Sequence, residues 1–256
     1  MNQSKLAPLS FYGGNFNVVD KEKFFQAIKL LNESIFDSGA TIFCSDNLIT
    51  WNKNYSFLRD EGFKNDLENP LISSHEKSII WRTYILLYFA EMASIVPGDF
   101  LELGCHVGST AMQVIKKIDF QKIGKQYYLY DLFEWNEGDE HTQFEGHKNP
   151  NMYLDVLEKF SSEKYVHIIK GKVPEVMLIE APQKIAFAHI DMNHPVPEKG
   201  ALIQILPKLT KGGIIIFDDY GWWGYSAQKI AIDEVLIQHS LSVLELPTGQ
   251  GVLINY

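Results

Sequence analysis

The stretch Asp99-Phe100-Leu101-Glu102-Leu103-Gly104-Cys105-His106-Val107-Gly108-Ser109-Thr110 decides the fold, because an apolar run passes through one acidic residue into a Gly-x-x-x-Gly turn and then a helical pattern. Gly104 and Gly108 lack the Cβ atoms that would keep a cofactor from lying against the backbone. Ser109 and Thr110 can cap the following helix, whose first amides suit a carboxylate or hydroxyl. The spacing argues against a dinucleotide: a nicotinamide or flavin fingerprint wants G-x-G-x-x-G, and Cys105-His106 stand where a second glycine should let a pyrophosphate approach. By itself the turn also fits an ordinary strand-to-helix connection. The rest of the chain has to separate the two.

The chain has 256 residues, 46% of them apolar, enough for one large α/β domain with an appended segment or for two small domains. A formal charge of −9 gives no basic footprint for a phosphate backbone, so no nucleic-acid partner is expected. The two cysteines, Cys44 and Cys105, offer neither a disulfide framework nor a metal cluster and suit a reducing cytoplasm, the expected location. Met1-Asn2-Gln3-Ser4-Lys5 leads into no apolar signal core. The greasiest segment, Ile79 to Val96, is broken by Arg82 and Glu91, so no membrane partner is expected.

From Asp99 onward, β-branched or aromatic runs alternate with helical patterns, which predicts an α/β fold with a mostly parallel sheet covered on both faces. Seven strands are expected, at Phe100–Leu103, Gln126–Tyr130, Val166–Ile169, Ala186–Ile190, Gly213–Phe217, Ser242–Leu246 and Gly251–Asn255. Only Pro247-Thr248-Gly249-Gln250 separates the last two, too short for a crossover helix, so these should form an antiparallel hairpin. Helices are expected at Thr110–Ile118, Met152–Phe160, Lys199–Leu209 and Ala227–His239. Residues 1–97 do not follow the alternation. Their helical patterns at Lys21–Ile35 and Glu76–Ser94 predict an N-terminal helical cap on a domain of residues 98–256.

Chemistry collects where strands end. The second strand closes on Tyr128-Leu129-Tyr130-Asp131, placing Asp131 beside the glycine turn, where a carboxylate can accept from ribose hydroxyls or cap the next turn. Gly171, at the end of the third strand, can border an adenine edge or form a simple turn. The fourth and fifth strands run into Asp191 and into Asp218-Asp219. Carboxyl ends of neighbouring strands line one crevice, so these three aspartates can converge there. Crowded carboxylates repel, and a bound cation relieves them. Oxygen donors without cysteine suit Mg²⁺, Mn²⁺ or Ca²⁺. His194, three residues beyond Asp191 and with a reference pKa near ~6.5, is a candidate general base or a solvated loop residue.

Together, Phe100-Leu101-Glu102-Leu103-Gly104-x-x-x-Gly108, Tyr130-Asp131-Leu132-Phe133-Glu134, His189-Ile190-Asp191 and Leu206-Pro207-x-Leu209-x-x-Gly212-Gly213-x-Ile215-Ile216-x-Asp218-Asp219-Tyr220-Gly221 resemble the macrocin and mycinamicin type of sugar O-methyltransferase, over roughly residues 75–256. The resemblance implies a class I methyltransferase fold, S-adenosylmethionine as cofactor, and a divalent cation, Mg²⁺ or another, held by Asp191, Asp218 and Asp219. Glu102, Gly104 and Asp131 match its cofactor motif, and Cys105, Gly108, Ser109, Thr110, Leu132 and Gly171 complete the expected cofactor-lining set. The substrate implied is a sugar hydroxyl or glycosylated small molecule from natural-product biosynthesis, with His194 or Asp191 as base. This chain departs from the pattern at Asn193, where many members carry a second aspartate, and at Pro195-Val196-Pro197-Glu198, where they carry a tyrosine-containing segment. The insert from Phe133 to Tyr153, with Trp135, His141, Phe144 and His147, is long enough for a substrate lid. Two rival readings remain at this level: metal-independent methylation of nitrogen or a carboxylate, and a non-catalytic cofactor-binding subunit. The oligomer is open, a homo-oligomer among the options.

Overall fold

The computed structural model describes residues 18–34, 42–51, 53–59, 61–62, 65, 74–134 and 149–256. The expected lid residues Trp135, His141, Phe144 and His147 lie outside these. The chain divides into two compact units, Met1–Tyr84 and Ile85–Tyr256, each described by itself below.

In the first unit, helix α1 (Lys21–Ser34) is followed by a hairpin of β1 (Ile42–Ser45) and β2 (Leu48–Trp51), then by the short α2 (Ser74–Ser78) and the start of α3 (Ile80–Ala93). The hairpin was not expected in a helical cap. Its turn explains it: Asp46 and Asn47 both take the left-handed conformation, φ 54° and 55°, which a two-residue hairpin turn requires and which these side chains tolerate. Phe43 from the hairpin meets Trp81 edge-on at 5.1 Å and stacks with Tyr55 at 5.7 Å. Arg82 grips the turn through a buried fork, Nε to Asp46 Oδ2 at 2.8 Å and a second nitrogen to Oδ1 at 3.1 Å. The division at Tyr84 falls inside α3, upstream of the boundary expected at residue 97.

The second unit runs β3 (Asp99–Leu103), α4 (Ser109–Lys117), α5 (Phe120–Ile123), β4 (Tyr127–Asp131), α6 (Met152–Lys159), β5 (Val166–Lys170), β6 (Ile185–Ile190), α7 (Pro195–Ile205), β7 (Leu209–Phe217), α8 (Ser226–Gln238), β8 (Leu244–Glu245) and β9 (Gly251–Ile254). Its sheet has seven strands in the order β5-β4-β3-β6-β7-β9-β8. The first five pair in parallel, while β9 runs antiparallel to both β7 and β8. This is the mixed sheet of class I methyltransferases. The central strands β3, β6 and β7 are buried on both faces, so they read as continuous apolar runs rather than as alternation.

Strand order reverses between β3 and β6, and the carboxyl ends of those two strands open the crevice where such sheets bind ligands. Register brings Glu102 between Leu129 and His189. Helix α7 begins four residues earlier than expected, at Pro195, and gives way to a 3₁₀ turn at Leu206–Lys208. Prolines 195 and 197 sit in its first turn, where missing amides cost nothing. Among the described residues, no helix is long and apolar enough to cross a membrane.

Candidate functional site

The glycine turn after β3 is held mostly by the chain itself. A Cβ on Gly104, whose φ is +88°, would lie 1.9 Å from the carbonyl oxygen of Asp191. One on Gly108, at φ +73°, would lie 2.5 Å from the Phe160 ring. Both glycines are therefore demanded by protein contacts and by backbone conformation. The amides of Gly104 and Cys105 donate to the Tyr130 carbonyl at 2.8 and 3.2 Å. Lys159 of α6 donates to the Val107 carbonyl. Cys105 is buried, and burial, then Asp131 and Glu102, push its thiol well above the ordinary range, so it is no nucleophile.

Helix α4 starts at Ser109 behind Gly108 as N-cap, with no side-chain cap, so Ser109 and Thr110 do not cap it as expected. They sit inside the first turn, whose amides lack an intrahelical acceptor. Asp131 is buried and holds the loop: Oδ2 accepts from the His106 amide at 2.7 Å and Oδ1 from the Phe133 amide at 2.9 Å. Leu132 beside it is 36% exposed. Gly171, at φ +149°, is a turn whose missing Cβ leaves room for Val176; its amide donates to the Asp131 carbonyl at 2.9 Å.

Across the switch point the inventory differs. Glu102 is buried and accepts from the Tyr127 hydroxyl at 2.9 Å. On the neighbouring strand His189, 2% exposed, stands between two carboxylates, with Nδ1 3.5 Å from Glu102 and Nε2 3.6 Å from Asp218. Neither ring nitrogen makes a hydrogen bond. Burial favours the neutral ring, but Asp218 and then Glu102 outweigh it and hold the pKa at about 10. Ligand atoms of His189, Asp191 and Asp218 all lie within 4.8 Å of one another, a group that could hold a metal ion. Asp191 and Asp218 thus come together as expected, whereas Asp219 is not part of this group and His189 is.

Other residues brace the cluster. Asp191 accepts from Asn193 Nδ2 at 3.2 Å, and Asp218 from the wholly buried Gln250 at 3.1 Å. Glu198 of α7 is buried, accepts from the Met192 amide at 3.2 Å and from Gln228, and so ties down the loop that carries Asp191. Burial pushes its carboxyl up to about 7, against those hydrogen bonds and with help from Asp219. His194 is the N-cap of α7, its Nδ1 accepting from the Val196 amide at 3.2 Å. That bond assigns the neutral ring's proton to Nε2.

Sequence reasoning gave no role to His189, Glu198 or Gln250. A signal existed for the first: His189 and Asp191 are two apart on extended chain and share a face. Nothing local marks Gln250, which reaches Asp218 only because β9 lies antiparallel to β7.

The profile of a family described as a methyltransferase domain matches residues 101–220, the span from β3 to just past Asp219. No curated protein matches the chain. Among solved structures, the O-methyltransferase NovP is 17% identical with a TM-score of 0.58, covering 72% of this chain and 83% of its own. The calicheamicin methyltransferase CalS11 is 19% identical with a TM-score of 0.55, covering 79% and 93%. An apo form of CalS11, described as a TDP-rhamnose 3'-O-methyltransferase, is 20% identical with a TM-score of 0.54, covering 79% and 95%. At these identities the likeness is one of fold.

Proposed function

We propose that this methyltransferase-domain chain transfers a methyl group from S-adenosylmethionine to a hydroxyl of a sugar or glycosylated small molecule, with a divalent cation orienting the acceptor. The observation that carries the reading is the cluster of buried His189 and Asp218 with half-buried Asp191 at the carboxyl ends of β6 and β7, beside the glycine turn of β3. The methyltransferase-domain match supports the cofactor. The sugar acceptor is supported by the resemblance of the Asp191 and Asp218-Asp219 motifs and by what NovP and CalS11 are described as doing.

The residues fit both groups. The start of α4, the exposed Leu132 and the Asp131 loop would hold the cofactor, and Asp191 and Asp218 with the His189 imidazole would hold the cation. Bound, the cofactor supplies an electrophilic methyl group and the cation lowers the acceptor hydroxyl's pKa. The chain does the rest. Asn193 and Glu198 fix the loop presenting Asp191, and Gln250 fixes Asp218, so the acceptor is aligned by groups already in place. Asp191 takes the proton. His194 is the weaker base candidate, since its Nδ1 lone pair is committed to capping α7 and its Nε2 already carries hydrogen.

Labelled S-adenosylmethionine, Mg²⁺ or Mn²⁺, and a panel of nucleotide sugars and glycosylated metabolites test this directly. Methyl transfer that stops in excess EDTA is expected, together with calorimetric binding of S-adenosylhomocysteine that survives EDTA. Full turnover in EDTA removes the cation from the reading. Absence of S-adenosylhomocysteine binding removes the enzyme.

A further inference from the structure

We infer that the imidazole of His189 is a direct ligand of the cation, with Asp191 and Asp218, and that the site therefore takes a first-row transition ion such as Mn²⁺ in preference to Mg²⁺. This assignment rests on the cation-assisted reading above and changes both its ligand set and its metal.

Three observations carry it. His189 is 2% exposed, and neither ring nitrogen makes a hydrogen bond; its polar neighbours are the ion-pair approaches of Glu102 and Asp218 at 3.5 and 3.6 Å, longer than hydrogen bonds and wide enough for an ion to take the place of one contact. Its Nε2 is 3.6 Å from Asp218 Oδ1 without bonding it, and one ligand atom from each of His189, Asp191 and Asp218 falls within 4.8 Å of the others. Two donors that each sit about 2.1–2.2 Å from one ion stand roughly 3–4.4 Å apart, so small side-chain adjustments close the set. Finally, Nδ1 faces Glu102 at 3.5 Å, and Glu102 is itself anchored by Tyr127. A carboxylate behind the far nitrogen of a ligating histidine is the usual outer support of such a ligand, fixing the tautomer and raising its basicity.

The chemistry follows from the donor set. With Nε2 on the ion, the ring keeps its Nδ1 hydrogen toward Glu102, and the ion replaces the second proton of the imidazolium. First-row transition ions, Mn²⁺ included, accept an imidazole nitrogen beside two carboxylates more readily than Mg²⁺ does, since Mg²⁺ prefers an all-oxygen shell with several waters. The arrangement also links the two halves of the site. Glu102, matched to the cofactor motif, and Asp218, a ligand, meet through one ring, so the cation and the cofactor pocket share a wall.

The test is pulsed EPR of the full chain loaded with Mn²⁺ alone, grown once with natural histidine and once with ¹⁵N-histidine. Nitrogen modulation on the Mn²⁺ signal that changes with the label is expected. It should vanish in His189→Gln and persist in His194→Gln, and Mn²⁺ affinity should fall more than ~10-fold in Glu102→Gln through loss of the outer support. The labelled wild type decides the matter even if His189→Gln does not fold. Bound Mn²⁺ without nitrogen modulation, or modulation lost only in His194→Gln, overturns the assignment while leaving cation-assisted transfer standing. No Mn²⁺ binding overturns both, and S-adenosylhomocysteine calorimetry then still reports on the cofactor.

Discussion

The carboxyl ends of β3 and β4 and those of β6 and β7 carry equally conspicuous motifs, but the fold uses them in opposite ways. At β3 and β4 the motif residues are consumed internally. Gly104 makes way for Asp191, Gly108 for Phe160, and Asp131 satisfies two loop amides. At β6 and β7 the fold gathers charge it does not fully satisfy, in a histidine without hydrogen bonds between two buried carboxylates, and in a carboxyl raised to about 7. In the first region the fold itself satisfies the motif's polar groups. The second holds buried ionisable groups whose proton affinities are shifted well away from their ordinary values.

The strongest way to break this contrast is a glycine series. Gly104→Ala puts a methyl against a backbone carbonyl that cannot retreat without moving β6, in a conformation disfavoured for alanine, and should cost more than ~4 kcal/mol. Gly108→Ala meets a ring that can shift and should cost ~2 kcal/mol. Gly124, also left-handed at φ +66° but with nothing within 4 Å of a Cβ, is the control, at ~1 kcal/mol for conformation alone. Urea unfolding should rank them in that order. A stable Gly104→Ala that merely fails to bind S-adenosylhomocysteine would return the glycine to the cofactor.

Glu198 sharpens the other side. Its carboxyl is raised from 4.5 to about 7 in the fold, so the folded state holds that proton more tightly than the unfolded chain. Its contribution to stability is therefore lost as pH rises from about 4.5 through 7, and is constant above. Glu198→Gln keeps an acceptor for the Met192 amide, should flatten unfolding free energy between pH 5 and 7, and should stabilise the protein at pH 8 by up to ~3 kcal/mol. An unchanged pH slope would place the stored charge elsewhere.

Asp218→Asn is expected to lower turnover by ~10²-fold, about 2.7 kcal/mol, while leaving S-adenosylhomocysteine affinity nearly intact. Equal losses in both would mean that the two regions are one site. Asp131→Ala should cost ~2 kcal/mol of stability by orphaning the His106 and Phe133 amides, whether or not cofactor is present. The smallest effect is expected at His194. Alanine there removes the α7 cap, worth ~1 kcal/mol by thermal unfolding, with turnover down less than about tenfold. A loss of ~10² or more in turnover restores His194 as the base.

Legibility follows the range of the interactions. The central strands could be read because parallel strands buried on both faces are largely apolar, and the final antiparallel pair because four residues cannot hold a crossover helix. The β1–β2 hairpin escaped because its apolar runs of four residues are too short to carry a period, and only Asp46-Asn47 marked the turn. The start of α7 was misplaced because two prolines look like a break when they are in fact a first turn.

The same division holds at the site. By itself the sequence determined which residue types arrive at the strand ends, since chain order, strand length and a glycine turn are local properties. It could not determine which of those side chains meet. That His189 rather than Asp219 joins Asp191 and Asp218, that Gln250 braces Asp218 from the far end of the chain, and that Gly104 serves Asp191 were decided by register across β3, β6, β7 and β9. The physical reason is that a one-residue change of register turns a side chain to the opposite face, and register is fixed by the burial of the whole sheet.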